Sequence, residues 1–308
     1  MRKLIIIGIL FAWSTTMLAQ ASFIVIRTSG KVEYRESKGD TPKRVLAGTE
    51  IPSVGTLNLG SGSAAKLLYS GKPIELKKKG KYDLKLLIDN KKSQGGRSFM
   101  SRFWSFINEG ISNTGNTEKL QKYHQKYMEE ATGGISGFSE TGNQIVTLDI
   151  GTGVMAEDAV TFQWRPLSNA PVFNFQIYES ESKELVFKGM TRDTFLHLDL
   201  KNIHLEEGIE HYWIVGTTAD DDKKIQSQKK FFNIQPDNKQ EILANLVGLE
   251  DYNLAEDIEK QLIQSHIFES EGLLYSAHSV YLEMMHSYPE NELVMRLYRA
   301  FLARNNSL

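Results

Sequence analysis

The stretch GSAAKLLYSGKPIEL, residues 62–76, decides how the N-terminal part of the chain is read. Ala65, Leu67 and Tyr69 alternate with period two, and Ile74 and Leu76 alternate again beyond the Ser70-Gly71 break. A period of two on both sides of a glycine-containing break is the pattern of a β-hairpin. Outward from it, Val32 with Tyr34 and Leu57 with Leu59 repeat the alternation. Gly30, Gly48, Gly55, Gly60, Gly62, Gly71 and Gly80 punctuate the runs, as turns between short strands require. Phe23 to about Leu87 therefore predicts a small all-β module, with boundaries at residues 22–90.

The rest of the chain sets the context. Its 308 residues carry 36 Lys+Arg against 38 Asp+Glu and no cysteine, a formal charge of −2. That length predicts roughly two or three domains. With 41% hydrophobic residues there is enough apolar material for real cores. Zero cysteine excludes disulfides, thiolate nucleophiles and Cys-ligated zinc. The near-neutral balance predicts no nucleic-acid partner.

Residues 1–21 read as an export signal: Arg2 and Lys3 precede an apolar run from Leu4 to Trp13, and Ala19-Gln20-Ala21 fits a small-x-small cleavage site. The other reading is an uncleaved N-terminal anchor. No later segment approaches the uninterrupted apolar length of a membrane span, so none is expected after signal removal. The expected location is the periplasm or outer envelope of a Gram-negative bacterium.

Gly30-x-Val32, Leu46-x-Gly48, the run Gly62-Ser63-x-Ala65-x-Leu67 and Gly71-x-x-Ile74-x-Leu76 together resemble the FecR-type periplasmic domain. In that family the domain follows a cytoplasmic anti-sigma segment and a membrane helix, whereas here it follows the export signal. The resemblance implies envelope recognition, with FecR-type signal transduction as the alternative. Gly60, Gly62 and Ala65 also spell a G-x-G-x-x-A dinucleotide fingerprint. That fingerprint must open a helix, and the residues after it alternate as strand, so no cofactor is expected.

From Gly71 to Arg102 there are ten basic residues against three acidic ones, a local net of +7. Lys77, Lys78, Lys79 and Lys81 are its densest part and a candidate contact for an anionic envelope polymer or another envelope protein. The competing reading is a lysine-coated edge that discourages aggregation. Phe99, Phe103, Trp104, Ile107 and Ile111 then recur at three- and four-residue spacing, which predicts an amphipathic helix. Phe103 and Trp104 are candidate partner contacts if that stripe is exposed, and core residues if it packs back on its own domain. A second, more polar helix is predicted over Thr117 to Ala131. The Gly/Ser-rich residues 132–143 close a linker region spanning 91–143.

Residues 144–236 offer seven strand signals at the spacing of a β-sandwich. Trp164, the FNFQIY run at 173–178, Leu198 with Leu200, and Tyr212-Trp213 resemble a fibronectin type III or immunoglobulin-like domain. The resemblance implies a spacer or binding module. His197, His204 and His211 recur every seven residues, and Asp220, Asp221 and Asp222 are consecutive. Neither spacing matches a metal site, so no metal is expected.

From Asp237 the composition turns helical, with Asp237 as a predicted N-cap. Gly272, Ala277, Tyr281, Met284 and Pro289 resemble the second half of a tetratricopeptide repeat in their spacing. About one and a half repeats fit, where arrays usually need at least three. Residues 237–308 are thus expected either to cap the sandwich or to be completed by a partner. They carry twelve acidic and five basic residues, a net of −7, so self-association through opposite charges is open as well.

No P-loop, Gly-x-Ser-x-Gly elbow or His-Glu-x-x-His motif occurs, and no catalytic residue is expected. The predicted class is a multidomain, mainly β protein with a linker helix and a helical C-terminal region. The expected role is a non-catalytic binding or scaffold component of the envelope. A periplasmic sensor and a polysaccharide- or cell-wall-binding protein are the alternatives.

Overall fold

Eight short strands build the first module: β1 (Ser22–Ser29), β2 (Val32–Arg35), β3 (Lys43–Arg44), β4 (Glu50–Pro52), β5 (Thr56–Leu59), β6 (Ala64–Tyr69), β7 (Lys72–Leu76) and β8 (Gly80–Asp83). The computed structural model describes residues 22–89, 99–112, 145–165, 172–218 and 224–305. The export signal predicted over 1–21, the polar helix predicted over 117–131, the Gly/Ser-rich stretch and Asp220 to Asp222 lie outside the described residues.

The strands form two four-stranded antiparallel sheets, β4-β1-β6-β7 and β3-β2-β5-β8. Between them Phe23, Val25, Val32, Leu57, Leu59, Leu67 and Ile74 make one core, the alternating set expected from the period of two. β1 departs from simple alternation. A register shift between Val25 and Arg27 bulges the strand, and its other face presents Ile24 and Ile26, also buried. The first sheet is therefore apolar on both sides and requires a second cover.

That cover is helical. Helix α1 (Leu84–Asp89) closes the first module, and α2 (Phe99–Ser112) lies outside the first sheet. The C-terminal region adds α3 (Asn238–Val247), α4 (Glu250–Asn253), α5 (Asp257–Ser270), α6 (Leu274–Ser287) and α7 (Glu292–Arg304). Ile24, Ile26 and Leu68 share a single core with Phe103, Trp104, Ile107 and Ile111 of α2 and with the apolar faces of α5 to α7. So α2, predicted to belong to a linker, is an inner wall of the largest core. Its apolar stripe has the right spacing, and burying it against a sheet removes far more apolar surface from water than exposing it would.

The second module is a sandwich. One sheet has the order β10-β17-β15-β12-β13 with β16 also on β15, and the other is β14-β11-β9. Its strands are β9 (Val146–Thr147), β10 (Gly153–Met155), β11 (Ala159–Arg165), β12 (Phe173–Glu179), β13 (Leu185–Thr191), β14 (Phe195–Asp199), β15 (Glu210–Thr218), β16 (Lys224–Gln226) and β17 (Lys230–Ile234). Phe162, Trp164, Phe175, Trp213 and Phe232 fill the space between the sheets, and Trp213 Nε1 donates to the Gly151 carbonyl at 2.7 Å. β10 pairs with β17 in parallel, a strand the sequence pattern does not mark.

The C-terminal helices touch both modules. Gly153 sits at φ +79, and the Val154 amide donates to the Gly272 carbonyl at 3.0 Å. A Cβ on Gly153 would overlap that carbonyl, so two glycines make the close approach of sandwich to helices. The Thr161 amide donates to the Tyr275 hydroxyl at 3.2 Å beside it. Asp237 stands at the N-cap position of α3 without accepting a side-chain cap bond, whereas Asn291 caps α7 by accepting from Leu293 and Val294. Among the described residues, no helix is long and apolar enough to cross a membrane.

Candidate functional site

The lysine surface is built by two edge strands. β7 ends the first sheet and β8 ends the second, and the turn between them carries Lys77, Lys78 and Lys79, with Lys81 on β8. All four are exposed. Ser70 (φ +48) and Gly71 (φ +73) form the tight turn into β7, the break read from the sequence. The Tyr82 hydroxyl donates to the Lys78 carbonyl at 2.7 Å and holds the lysine turn against β8. Lys77 pairs with Glu75 at 3.0 Å. Among the described residues, no carboxylate reaches ion-pairing distance of Lys72, Lys78, Lys79, Lys81 or Lys85. Asp83 is engaged instead with the amides of Lys85 and Leu86. The result is a set of exposed ammonium groups on β7, the β7–β8 turn, β8 and α1.

Phe103 and Trp104 do not belong to that surface. They are 0% and 2% exposed, in ring contact with each other at 4.7 Å. This corrects the partner-contact reading in favour of the packing one, because sheet, α2 and α7 enclose both rings. Lys66 Nζ lies 5.1 Å from the Trp104 ring centroid.

Under the helices runs a polar row that the sequence reading missed. Arg27, Lys66 and Glu75 are cross-strand neighbours on the outer face of the first sheet. The start of α5 faces them: Glu259 accepts from Lys66 at 2.7 Å, and Glu256 pairs with Arg27. Arg296 of α7 pairs with Glu50 at 2.5 Å and donates to the Gly48 carbonyl at 3.2 Å. Opposite charges from the first module and the C-terminal helices thus meet. The available signal was a lysine within the apolar strand AAKLLY and glutamates on a helix that had to be buried.

A second buried cluster lies deeper. Glu269 accepts two hydrogen bonds of 2.7 Å from Arg304 Nε and Nη2, and a third of 3.3 Å from Asn305. The Arg304 guanidinium lies 4.9 Å over Phe106, and the His266 ring stacks on Phe106 at 4.1 Å. Burial, with Arg304 and Arg102 nearby, pushes His266 down to about 4, so it is neutral at pH 7. Burial and Glu269 push the Tyr281 hydroxyl up to about 12. These groups are paired and shielded from solvent, an arrangement that ties helices together.

The other singled-out residues separate. Gly60, Gly62 and Ala65 run into strand β6, so no helix N-terminus faces a phosphate there. His211 is buried against Phe232 and His197 contacts Thr161. Among the described residues, no group of three or more His, Asp or Glu is arranged to hold a metal ion.

Helices α5 to α7 pack against a helix from the earlier part of the chain. α2 runs antiparallel along α7: the Ile111 carbonyl accepts from Arg296 at 3.2 Å, a Cβ on Gly110 would meet Leu297, and Phe106 lies under Arg304. Residues 99–112 of the same chain thus line the face of α7. Comparison with known proteins finds no family model and no curated sequence that matches this chain.

Proposed function

We propose that this chain is a non-catalytic, exported envelope protein of a Gram-negative bacterium, working as a binding and scaffold component. The exposed lysines of the β7–β8 turn and β8 carry the reading, because a turn held between two sheet edges presents cations to an anionic protein or polymer. A FecR-like first module, a fibronectin III- or immunoglobulin-like sandwich and a tetratricopeptide-like helical end suit that role. Their shared cores make one rigid support rather than beads on a string.

Retention of the purified protein on envelope fractions tests the proposal. Binding is expected to fall as salt rises, and to be lost in Lys78→Glu/Lys79→Glu/Lys81→Glu. Undiminished binding by that variant rejects the lysine edge as the contact, and cytoplasmic fractionation of the untagged protein rejects the envelope role.

A further inference from the structure

A second surface, at the other end of the polar row, has chemistry opposite to the lysine edge. Val247 and Leu254 are 60% and 77% exposed. The Asn253 side chain donates to the Val247 carbonyl at 2.8 Å, which folds residues 247–254 into one knob bearing both side chains. Glu250 and Asp251 on the knob and Asp257 beside it are exposed. Among the described residues, no cation comes within ion-pairing distance of these three. An exposed apolar knob of this kind is rimmed by negative charge.

The lysine edge mirrors it. Leu86 on α1 is 59% exposed and follows Lys85, and α1 continues directly from β8, which carries Lys81. A chain of ion pairs, Lys77 to Glu75 to Arg27 to Glu256, leads from the lysine turn to the start of α5 beside the knob. A surface that is positive with an exposed leucine at one end and negative with exposed apolar side chains at the other is complementary to itself after a two-fold rotation.

We propose that the occupant of the α3–α4 knob is the lysine edge of a second copy of this chain, in a two-fold dimer where each contact is made twice. The proposal rests on the binding role argued above and names the partner of the same lysines. Exposed ion pairs contribute little each. Burial of Leu86, Val247 and Leu254 supplies the attraction, and the charges set register and exclude the wrong orientation.

The test is the mass of the purified full chain by light scattering or sedimentation. At low salt it is expected to be that of two copies, with dissociation at least about tenfold stronger at ~500 mM than at ~50 mM salt. Lys78→Glu/Lys79→Glu/Lys81→Glu alone and Glu250→Lys/Asp251→Lys alone are expected to be monomers. An equimolar mixture of the two is expected to recover the mass of two, because each reversed patch then meets its complement. Recovery in the mixture also shows that both variants fold. Monomeric wild type at every concentration, dimerisation of either variant alone, or growth beyond two copies overturns the proposal. So does a lysine variant that loses binding to a polyanion column while its mass stays that of two. Envelope retention and the mass of pure protein are separate readouts, so failure of the dimer leaves the envelope reading standing, and the converse.

Discussion

Replacing Arg304 with Met asks what the buried pair contributes to holding α2, α5 and α7 together. The side chains of Arg304 and Glu269 are 2% and 7% exposed, so neither charge has water to fall back on. The perturbation removes two hydrogen bonds of 2.7 Å and the cation lying 4.9 Å over the Phe106 ring. It leaves the Glu269 carboxylate buried with the Asn305 amide at 3.3 Å. Breaking a buried pair by removing one member costs about 3–5 kcal/mol, mostly because the other charge stays behind. Glu269→Leu combined with Arg304→Met removes both charges, and the double variant is expected to be more stable than Arg304→Met alone. Urea unfolding followed by tryptophan fluorescence and circular dichroism measures the cycle of two singles and the double. A loss below about 1 kcal/mol in Arg304→Met, or strictly additive losses in the double, would refute the claim that this pair is buried and coupled.

Three further outcomes are expected. His266 and His278, held at about 4 by burial, take up protons near 6.5 when unfolded. The unfolded chain therefore binds more protons between those values. Stability is greatest above pH 6.5 and falls on acidification at up to about 1.4 kcal/mol per pH unit per histidine, and His278→Phe should flatten the curve measured by thermal unfolding. Gly48 sits at φ +87, where a Cβ would overlap the Leu293 amide. Gly48→Ala is expected to cost about 1–3 kcal/mol in backbone strain and to push α7 off the first module, seen as new proteolytic cleavage near Asn291. Trp104→Ala is expected to cost about 3–5 kcal/mol, and unchanged stability would return Trp104 to the surface.

Much of the architecture was readable locally. Val160, Phe162 and Trp164, and likewise Phe173, Phe175 and Ile177, alternate in the sequence, and each set is buried on the inner face of the sandwich. Helices α6 and α7 begin and end near Leu274, Ser287 and Glu292, where Gly272, Pro289 and Asn291 punctuate the chain. Strand β10 was not legible, because three residues beside Gly153 carry no period and gain their pairing from β17. Of the candidate contacts, Lys77, Lys78, Lys79 and Lys81 are exposed as an edge strand allows. Phe103 and Trp104 are not, because an amphipathic stripe states that one face is apolar and leaves open what covers it.

Local pattern alone thus determined which residues make strands, which make helices and which face of each is apolar, since these follow from periods of two and 3.6 and from turn chemistry. Which apolar faces meet was decided in three dimensions. Ile24, Ile26 and Leu68 give the first sheet a second apolar face, α2 and the C-terminal helices cover it, and Lys66 with Glu259 and Arg27 with Glu256 bring together charges nearly two hundred residues apart or more. Such pairings depend on chain closure over long separations, and no local window of sequence carries that information.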